Sequence, residues 1–325
     1  MARLMKETTE RWRVAGAAGA MAVVVIALGV LPFLLELFTR RGVDGLDVNA
    51  VRYVMGAVML APVNVAAWRR LGPQERRRLW GAATVPAMVY VVTQVFYGLA
   101  PYWNNATMLN FGCRLSIPFT TLFGFALVGS ERAQAKSGLF WAGLVLAVAS
   151  FVVMFGGGFG TDSTSPTGMA LLGGFAVGWG LYMASIERFL RGFSAMEAFA
   201  AVITIACPFH VAIMLAWGEP GTLAGVAAAD WGWLLLSSFL GLVLANVLTY
   251  WAMGTLGPIA CDASYLLVPF LTAGLAHAWG GESLRTVQWV AGCGLVGGCA
   301  LLIAAQVRTR RKAAGEEDEN VRKGQ

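Results

Sequence analysis

LWGAATVPAMVYVVTQVFYGLAPYWNNATMLNFGC, residues 79–113, contains no charged side chain. A helix crossing the hydrocarbon of a bilayer needs about 20 mainly apolar residues, at ~1.5 Å of rise each. The stretch is therefore too long for one crossing, and a second begins after Leu99. Uncharged runs recur at Val14–Leu35, Ser137–Thr161, Ser163–Ile186, Ala198–Gly218, Trp231–Cys261 and Thr286–Val307. Their length and internal Gly and Pro read as helices, since membrane strands show alternating segments of about 10 residues. The whole chain agrees: of 325 residues 58% are hydrophobic and 13% charged, with a mean hydropathy of +0.65. A soluble globular domain carries roughly 25% charged residues, so that class is excluded, as are disorder and a coiled coil. The net charge of +6 raises a nucleic-acid binder, but the charges stand in short clusters between apolar runs. An all-α integral membrane protein remains.

Ten transmembrane helices are expected, near 13–37, 47–68, 79–99, 102–128, 137–157, 167–187, 195–217, 231–254, 258–280 and 286–307. Trp12, Trp68, Trp80, Trp217, Trp231, Trp279 and Trp289 fall at span ends, as in an interfacial aromatic belt. With both termini in the cytoplasm, 19 of the 24 basic residues lie in inner segments and 3 (Arg40, Arg41, Arg285) in outer ones. Arg52 and Arg114 fall within spans. This asymmetry sets the orientation. The first apolar run is long enough to span and is expected to remain as a helix instead of being removed as a leader. The five cysteines (Cys113, Cys207, Cys261, Cys293, Cys299) have no CxxC spacing and read as small packing residues.

The two halves repeat at an offset of 151 residues: Pro118-Phe119-Thr120-Thr121 then Gly129-Ser130-Glu131, against Pro269-Phe270-Leu271-Thr272 then Gly280-Gly281-Glu282. Gly29 and Gly180, Glu36 and Glu187, Arg40 and Arg191, and Gly143 and Gly294 pair at the same offset. Five helices per half is odd, so the second copy enters the membrane from the opposite side. That is an inverted-topology repeat, the usual construction of secondary transporters. The expected organisation is a cytoplasmic segment 1–12, repeats at 13–157 and 167–307, and a charged cytoplasmic tail 308–325.

The Pro-Phe-x-Thr…Gly-x-Glu segments, with Ala50-Val51-Arg52-Tyr53 and Gly178-Trp179-Gly180-Leu181-Tyr182, resemble the EamA repeat of the drug/metabolite transporter superfamily. The resemblance covers about residues 13 to 307. It implies ten helices in two repeats around a central cavity, and transport of small organic metabolites, often export of amino acids or related compounds. Two departures stand out: Arg114, where an apolar or small residue is expected, and the polar stretch Tyr102-Trp103-Asn104-Asn105.

An arginine within a span costs at least ~2.5 kcal/mol on insertion scales and should face a cavity or a partner. Thr107, Asn110, Arg114, Pro118 and Thr121 share one helical face, and a guanidinium there suits a carboxylate or phosphate. The alternative is a structural pair with a carboxylate such as Asp262. Pro118 is also expected to free backbone carbonyls near this face. The counterpart face carries Asp262, Tyr265, Pro269 and Thr272. Asp262 reads either as a hydrated carboxylate near a span end or as a proton-binding group that couples to substrate. Trp179 and Tyr182, three apart, read either as packing or as a cavity wall that Tyr97, Tyr250 and Trp251 extend. Glu36 with Arg40 and Glu187 with Arg191 are i,i+4 pairs, with gating as the alternative role. His210, after Pro208, reads as a hydrogen-bonded packing residue and His277 as an interfacial one, while Glu131 and Glu282 are expected to organise turns.

The function expected is a secondary transporter, exporter or exchanger, of amino acids or related carboxylate-bearing metabolites. It would work by alternating access in a bacterial inner membrane, without cofactor or metal, as a monomer or homodimer. Its partners are the substrate, membrane lipid and, for coupling, protons. The rivals are a structural or sensory membrane protein and an intramembrane enzyme. The enzyme would need an HExxH, a GxSxG or a paired Cys/His set, and none occurs.

Overall fold

The computed structural model describes residues 2–127, 135–156, 165–256, 258–280 and 284–323, and these are helical throughout apart from short connections. Among the described residues thirteen α-helices follow one another: α1 (Ala2–Arg40), α2 (Gly45–Arg70), α3 (Pro73–Leu99), α4 (Ala106–Cys113), α5 (Ser116–Leu127), α6 (Gly138–Gly156), α7 (Pro166–Phe189), α8 (Ala195–Trp217), α9 (Ala228–Ser238), α10 (Ala245–Leu256), α11 (Pro258–Tyr265), α12 (Val268–Leu275) and α13 (Thr286–Lys323). A π-helical turn, Phe239–Leu244, joins α9 to α10 without interruption.

Local sequence explains where the helices start. Asp44 accepts from the N–H groups of Leu46 and Asp47, capping α2. Asn105 caps α4 through Met108 N, and Ser165 caps α7 through Gly168 N with Pro166 in the first turn. Each uses a short polar side chain to take up donors that the helix leaves unpaired. Asp44→Ala is expected to destabilise the protein by about 1 kcal/mol, read as a lower midpoint in thermal unfolding, with Asp44→Asn close to wild type.

Eight helices are long and apolar enough to cross a membrane among the described residues. The fourth and ninth expected spans are not continuous helices. The fourth is divided into α4 and α5 at Arg114 and Leu115, and the ninth into α11 and α12 at Leu266 and Leu267. The physical reason is the same in both. Pro118 and Pro269 supply no N–H to the carbonyl four residues earlier, and the backbone passes each break through tighter bonds: Ile117 N to Arg114 O, Leu266 N to Ala263 O and Leu267 N to Ser264 O. At the 151-residue offset the two breaks lie within one residue of each other.

The long helices pack as antiparallel neighbours, α2 with α8, α3 with α7, α6 with α13, and α1 with α10. Close approach depends on glycine at two contacts. A Cβ on Gly180 in α7 would stand 2.6 Å from the Phe119 carbonyl carbon in α5. A Cβ on Gly298 in α13 would stand 2.6 Å from Ala147 N and 2.7 Å from Gly143 O in α6. Without lipid-driven hydrophobic attraction between helices, such small-residue contacts carry much of the packing.

One end of the bundle is basic. There Arg70 Nη2 donates to both Glu197 carboxylate oxygens at 2.7 and 2.8 Å, Arg78 lies 5.5 Å from the Phe193 ring, and Arg188 donates to Leu127 O. At the opposite end Thr222 donates to Asp47 Oδ2 at 3.0 Å, Arg41 pairs with Asp230, and Asn104 donates to Gly168 O. Trp68, Trp217, Trp231 and Trp289 are exposed near helix ends and Trp12 at the start of the apolar part of α1, as an interfacial belt requires.

Candidate functional site

Two regions of the interior concentrate polar chemistry, and the sequence pointed mainly to the first. Asn110, Arg114, Tyr265 and Thr272 meet where the two helix breaks face each other. The donors of Asn110 and Arg114 act on backbone carbonyls that proline or helix termination has released. Arg114 Nη1 donates to Tyr265 O at 3.2 Å, the acceptor that Pro269 leaves empty. Arg114 Nε donates to Asn110 O at 3.3 Å in the last turn of α4. Asn110 Nδ2 donates to Leu28 O at 3.3 Å, the acceptor that Pro32 leaves empty in α1. Cys299 Sγ donates to Arg114 O at 3.4 Å, the acceptor released by Pro118. Asn110 Nδ2 also donates to the Thr272 hydroxyl at 2.6 Å, and that hydroxyl lies 3.1 Å from Gly29 O. The Arg114 guanidinium is 5.9 Å from the centre of the Tyr265 ring, whose hydroxyl is 2.6 Å from Thr249 Oγ1. In lipid, a carbonyl without a donor costs several kcal/mol, so the polar face of α4 knits α1, α4, α11, α12 and α13 together at their weakest backbone points. Thr121 lies further along α5 and is bonded to its own helix through Ile117 O.

The second region lies between α2, α3, α7 and α8. Trp179 and Tyr182 do come together, with ring centres 5.4 Å apart, and both pack on Tyr90 of α3, at 6.1 and 4.6 Å. Tyr90 meets Tyr53 of α2 edge to face at 5.9 Å, and Tyr53 stacks on His210 of α8 at 3.9 Å. Tyr97 joins through Phe175, which stacks on Trp179. Trp251 stands outside the cluster and is half exposed, and the side chain of Tyr250 lies outside the described residues.

This aromatic column has two ends. At the basic end a crevice of about 290 Å³ opens between α7 and α8, with Tyr182 at its inner limit and Ile186, Glu187, Arg191, Phe199 and Val202 on its walls. Toward the other end stand Asn49 and Arg52 of α2, one helical turn apart on one face and each 2% exposed. Asn49 Nδ2 donates to Gln94 O at 3.0 Å and lies 3.4 Å from His210 Nδ1. A small void of about 10 Å³ adjoins Asn49 and Arg52, room for about one water. Beyond it the Tyr102 hydroxyl donates to Val43 O, and Arg41 pairs with Asp230.

The remaining expectations fall as follows. Glu36 pairs with Arg40 at 2.8 Å, as the i,i+4 spacing predicts. Among the described residues no ion pair joins Glu187 to Arg191, because α7 ends at Phe189 and carries Arg191 off the helix. Both residues line the basic-end crevice instead. The side chain of Asp262 lies outside the described residues, as do Glu131 and Glu282. His210 is buried and touches Asn49 and Tyr53 as a packing residue would, yet its Nε2 has no hydrogen-bond partner. Asn49 and Tyr90 were not singled out from the sequence, and Tyr53 appeared only within the Ala50-Val51-Arg52-Tyr53 motif. The available signal was the i,i+3 spacing of Asn49 and Arg52, two strongly polar residues within an expected span.

Comparison with known proteins agrees with the architecture. A search of curated proteins gave no match. A solved structure described only as "Crystal structure of protein" aligns over 91% of this chain and 98% of its own, with a TM-score of 0.60 and 17% identity, a likeness of fold. Residues 166–304, from the start of α7 into α13, match the EamA-like transporter family, a member family of the drug/metabolite transporter superfamily that the sequence motifs resemble.

Proposed function

We propose that the protein is a secondary transporter of small organic metabolites, built from two five-span halves of opposite topology and working by alternating access. One observation carries this reading: a column of aromatic and polar side chains runs through the bundle, open to a crevice at the basic end and closed at the other. By the distribution of Lys and Arg the open end is cytoplasmic, so the conformation faces inward. Trp179 and Tyr182 form the entrance wall, suited to the apolar part of a substrate. Asn110, Arg114, Tyr265 and Thr272 form the joint on which the halves move, since they bind the two broken spans to each other and to α1. Tyr102 with Val43 and Arg41 with Asp230 form the outer closure.

Reconstitution tests the proposal. Proteoliposomes loaded with unlabelled organic acids or amino acids are expected to exchange them for external label, saturably and faster than protein-free vesicles. If no member of such a panel moves faster than in protein-free vesicles under an inward or an outward gradient, a structural or sensory role takes its place.

A further inference from the structure

Among the described residues, Arg52 is a buried cation without a paired counter-charge. Its side chain is 2% exposed, its Nε has no hydrogen-bond partner, and among the described residues no carboxylate pairs with it. Its electrostatic neighbours are the neutral rings of Tyr97, Tyr53 and Tyr90. The carboxylates described at that end face other partners: Glu36 pairs with Arg40, Asp230 with Arg41, Asp44 caps α2, and Asp47 accepts from Thr222 while its other oxygen, without a hydrogen-bond partner, lies against Gly218. Burying an ion costs several kcal/mol even after relaxation, and an unpaired arginine in a membrane interior marks a site by default. Two more unpartnered atoms stand beside it, Asn49 Oδ1 and His210 Nε2, each on a side chain at least nine-tenths buried. The backbone gives way at the same place. A Cβ on Gly241, within the π-helical turn, would stand 3.0 Å from Arg52 Nη2, so glycine leaves the guanidinium room there. π turns of this kind cluster at functional sites.

We infer that Arg52, with Asn49 and His210, binds the carboxylate of a monoanionic organic acid. Charge balance selects the class. One guanidinium and one carboxylate leave the buried site neutral, and their planar groups match in two parallel hydrogen bonds. A phosphate, at about −1.5 to −2 near pH 7, leaves net negative charge in the core. A zwitterionic amino acid leaves the positive charge of Arg52 uncompensated and adds an ammonium for which the site holds no carboxylate. Asn49 Oδ1 accepts a donor on the substrate, such as the hydroxyl of a 2-hydroxy acid. The void of about 10 Å³ beside Arg52 is smaller than such a molecule, so binding separates the helices around it. The assignment deepens the transporter reading but does not depend on its success, because binding is measurable without transport.

The test is calorimetric titration of the purified full chain in detergent with lactate, at fixed ionic strength, beside chloride, inorganic phosphate and L-alanine. Wild type is expected to bind lactate at least tenfold more tightly than chloride, phosphate or alanine. Arg52→Met is expected to abolish that binding while the unfolding temperature stays equal or rises, because the variant removes an unpaired buried charge. A structural arginine would give a lower unfolding temperature instead. Arg52→Lys, which keeps the charge and loses the fork, is expected to weaken binding at least tenfold. Asn49→Asp places an internal carboxylate one turn from Arg52 and is expected to abolish binding in a folded protein, which serves if Arg52→Met does not fold. Lactate binding retained in Asn49→Asp or Arg52→Met, or matched by chloride, overturns the assignment. Lactate that binds through Arg52 but never crosses the membrane overturns the transport reading alone.

Discussion

Replacing Arg114 with alanine is expected to destabilise the protein by about 2–3 kcal/mol, the cost of losing charge-assisted hydrogen bonds and leaving a buried acceptor empty. The variant strips donors from Tyr265 O and Asn110 O, at the breaks of two different spans. In a hydrocarbon interior a carbonyl that loses its donor is costly to leave unpaired. The loss is read as a lower thermal or denaturant midpoint in detergent, together with loss of most exchange activity in vesicles. Arg114→Lys is expected to recover part of the stability, since an ammonium reaches one carbonyl but cannot span both. A variant with wild-type stability that loses only substrate affinity would return Arg114 to the role of a substrate contact.

Gly298→Leu is expected to have a larger effect still and to reduce the yield of folded protein severely. Even a bare Cβ at that position stands 2.6 Å from the backbone nitrogen of Ala147 and 2.7 Å from Gly143 O. No rotamer relieves a clash with backbone, so α6 and α13 must move apart over their main contact. Overpacking a well-filled core costs typically ~1–3 kcal/mol, and here the obstructed element is a whole helix pair. The neighbouring glycine supplies the control. A Cβ on Gly297 meets nothing within 4 Å, so Gly297→Leu is expected to leave yield and unfolding temperature near wild type. Equal behaviour of the two variants would mean that the α6–α13 contact is not close-packed.

The membrane class was legible in the sequence because absence of charge over a span length is a direct physical requirement. The helix caps at Asp44, Asn105 and Ser165 were not singled out, although short polar residues ahead of apolar runs are their usual signal. The breaks of the fourth and ninth spans were not read, although Pro118 and Pro269 stood in the repeat motif. A single proline in a membrane helix is tolerated when a neighbour satisfies the freed carbonyl, and Pro62, Pro86 and Pro208 do stand inside continuous helices. Only the three-dimensional partners distinguish the two cases. The same reason hid the hydrogen-bond partners of Arg114. Its helical face could be read from spacing, but a backbone carbonyl 151 residues away has no signature in the sequence. For Arg52 the difficulty was the reverse. Its significance lies in what does not approach it among the described residues, and a missing counter-charge becomes visible only in three dimensions.

The π-helical turn Phe239–Leu244 faces that arginine and continues into α10, which packs along α1. Such a turn holds one residue more than an α-helical turn. Passing the surplus residue along the chain winds the helix beyond it by one position, about 100° at 3.6 residues per turn. A side chain pushed against Gly241 thus acts on a rod that can answer by screwing instead of bending, and the thread runs toward Thr249, which holds the Tyr265 hydroxyl. Were a ligand to occupy Arg52 as inferred above, the same helix would be expected to carry its push toward the fastening of the broken ninth span.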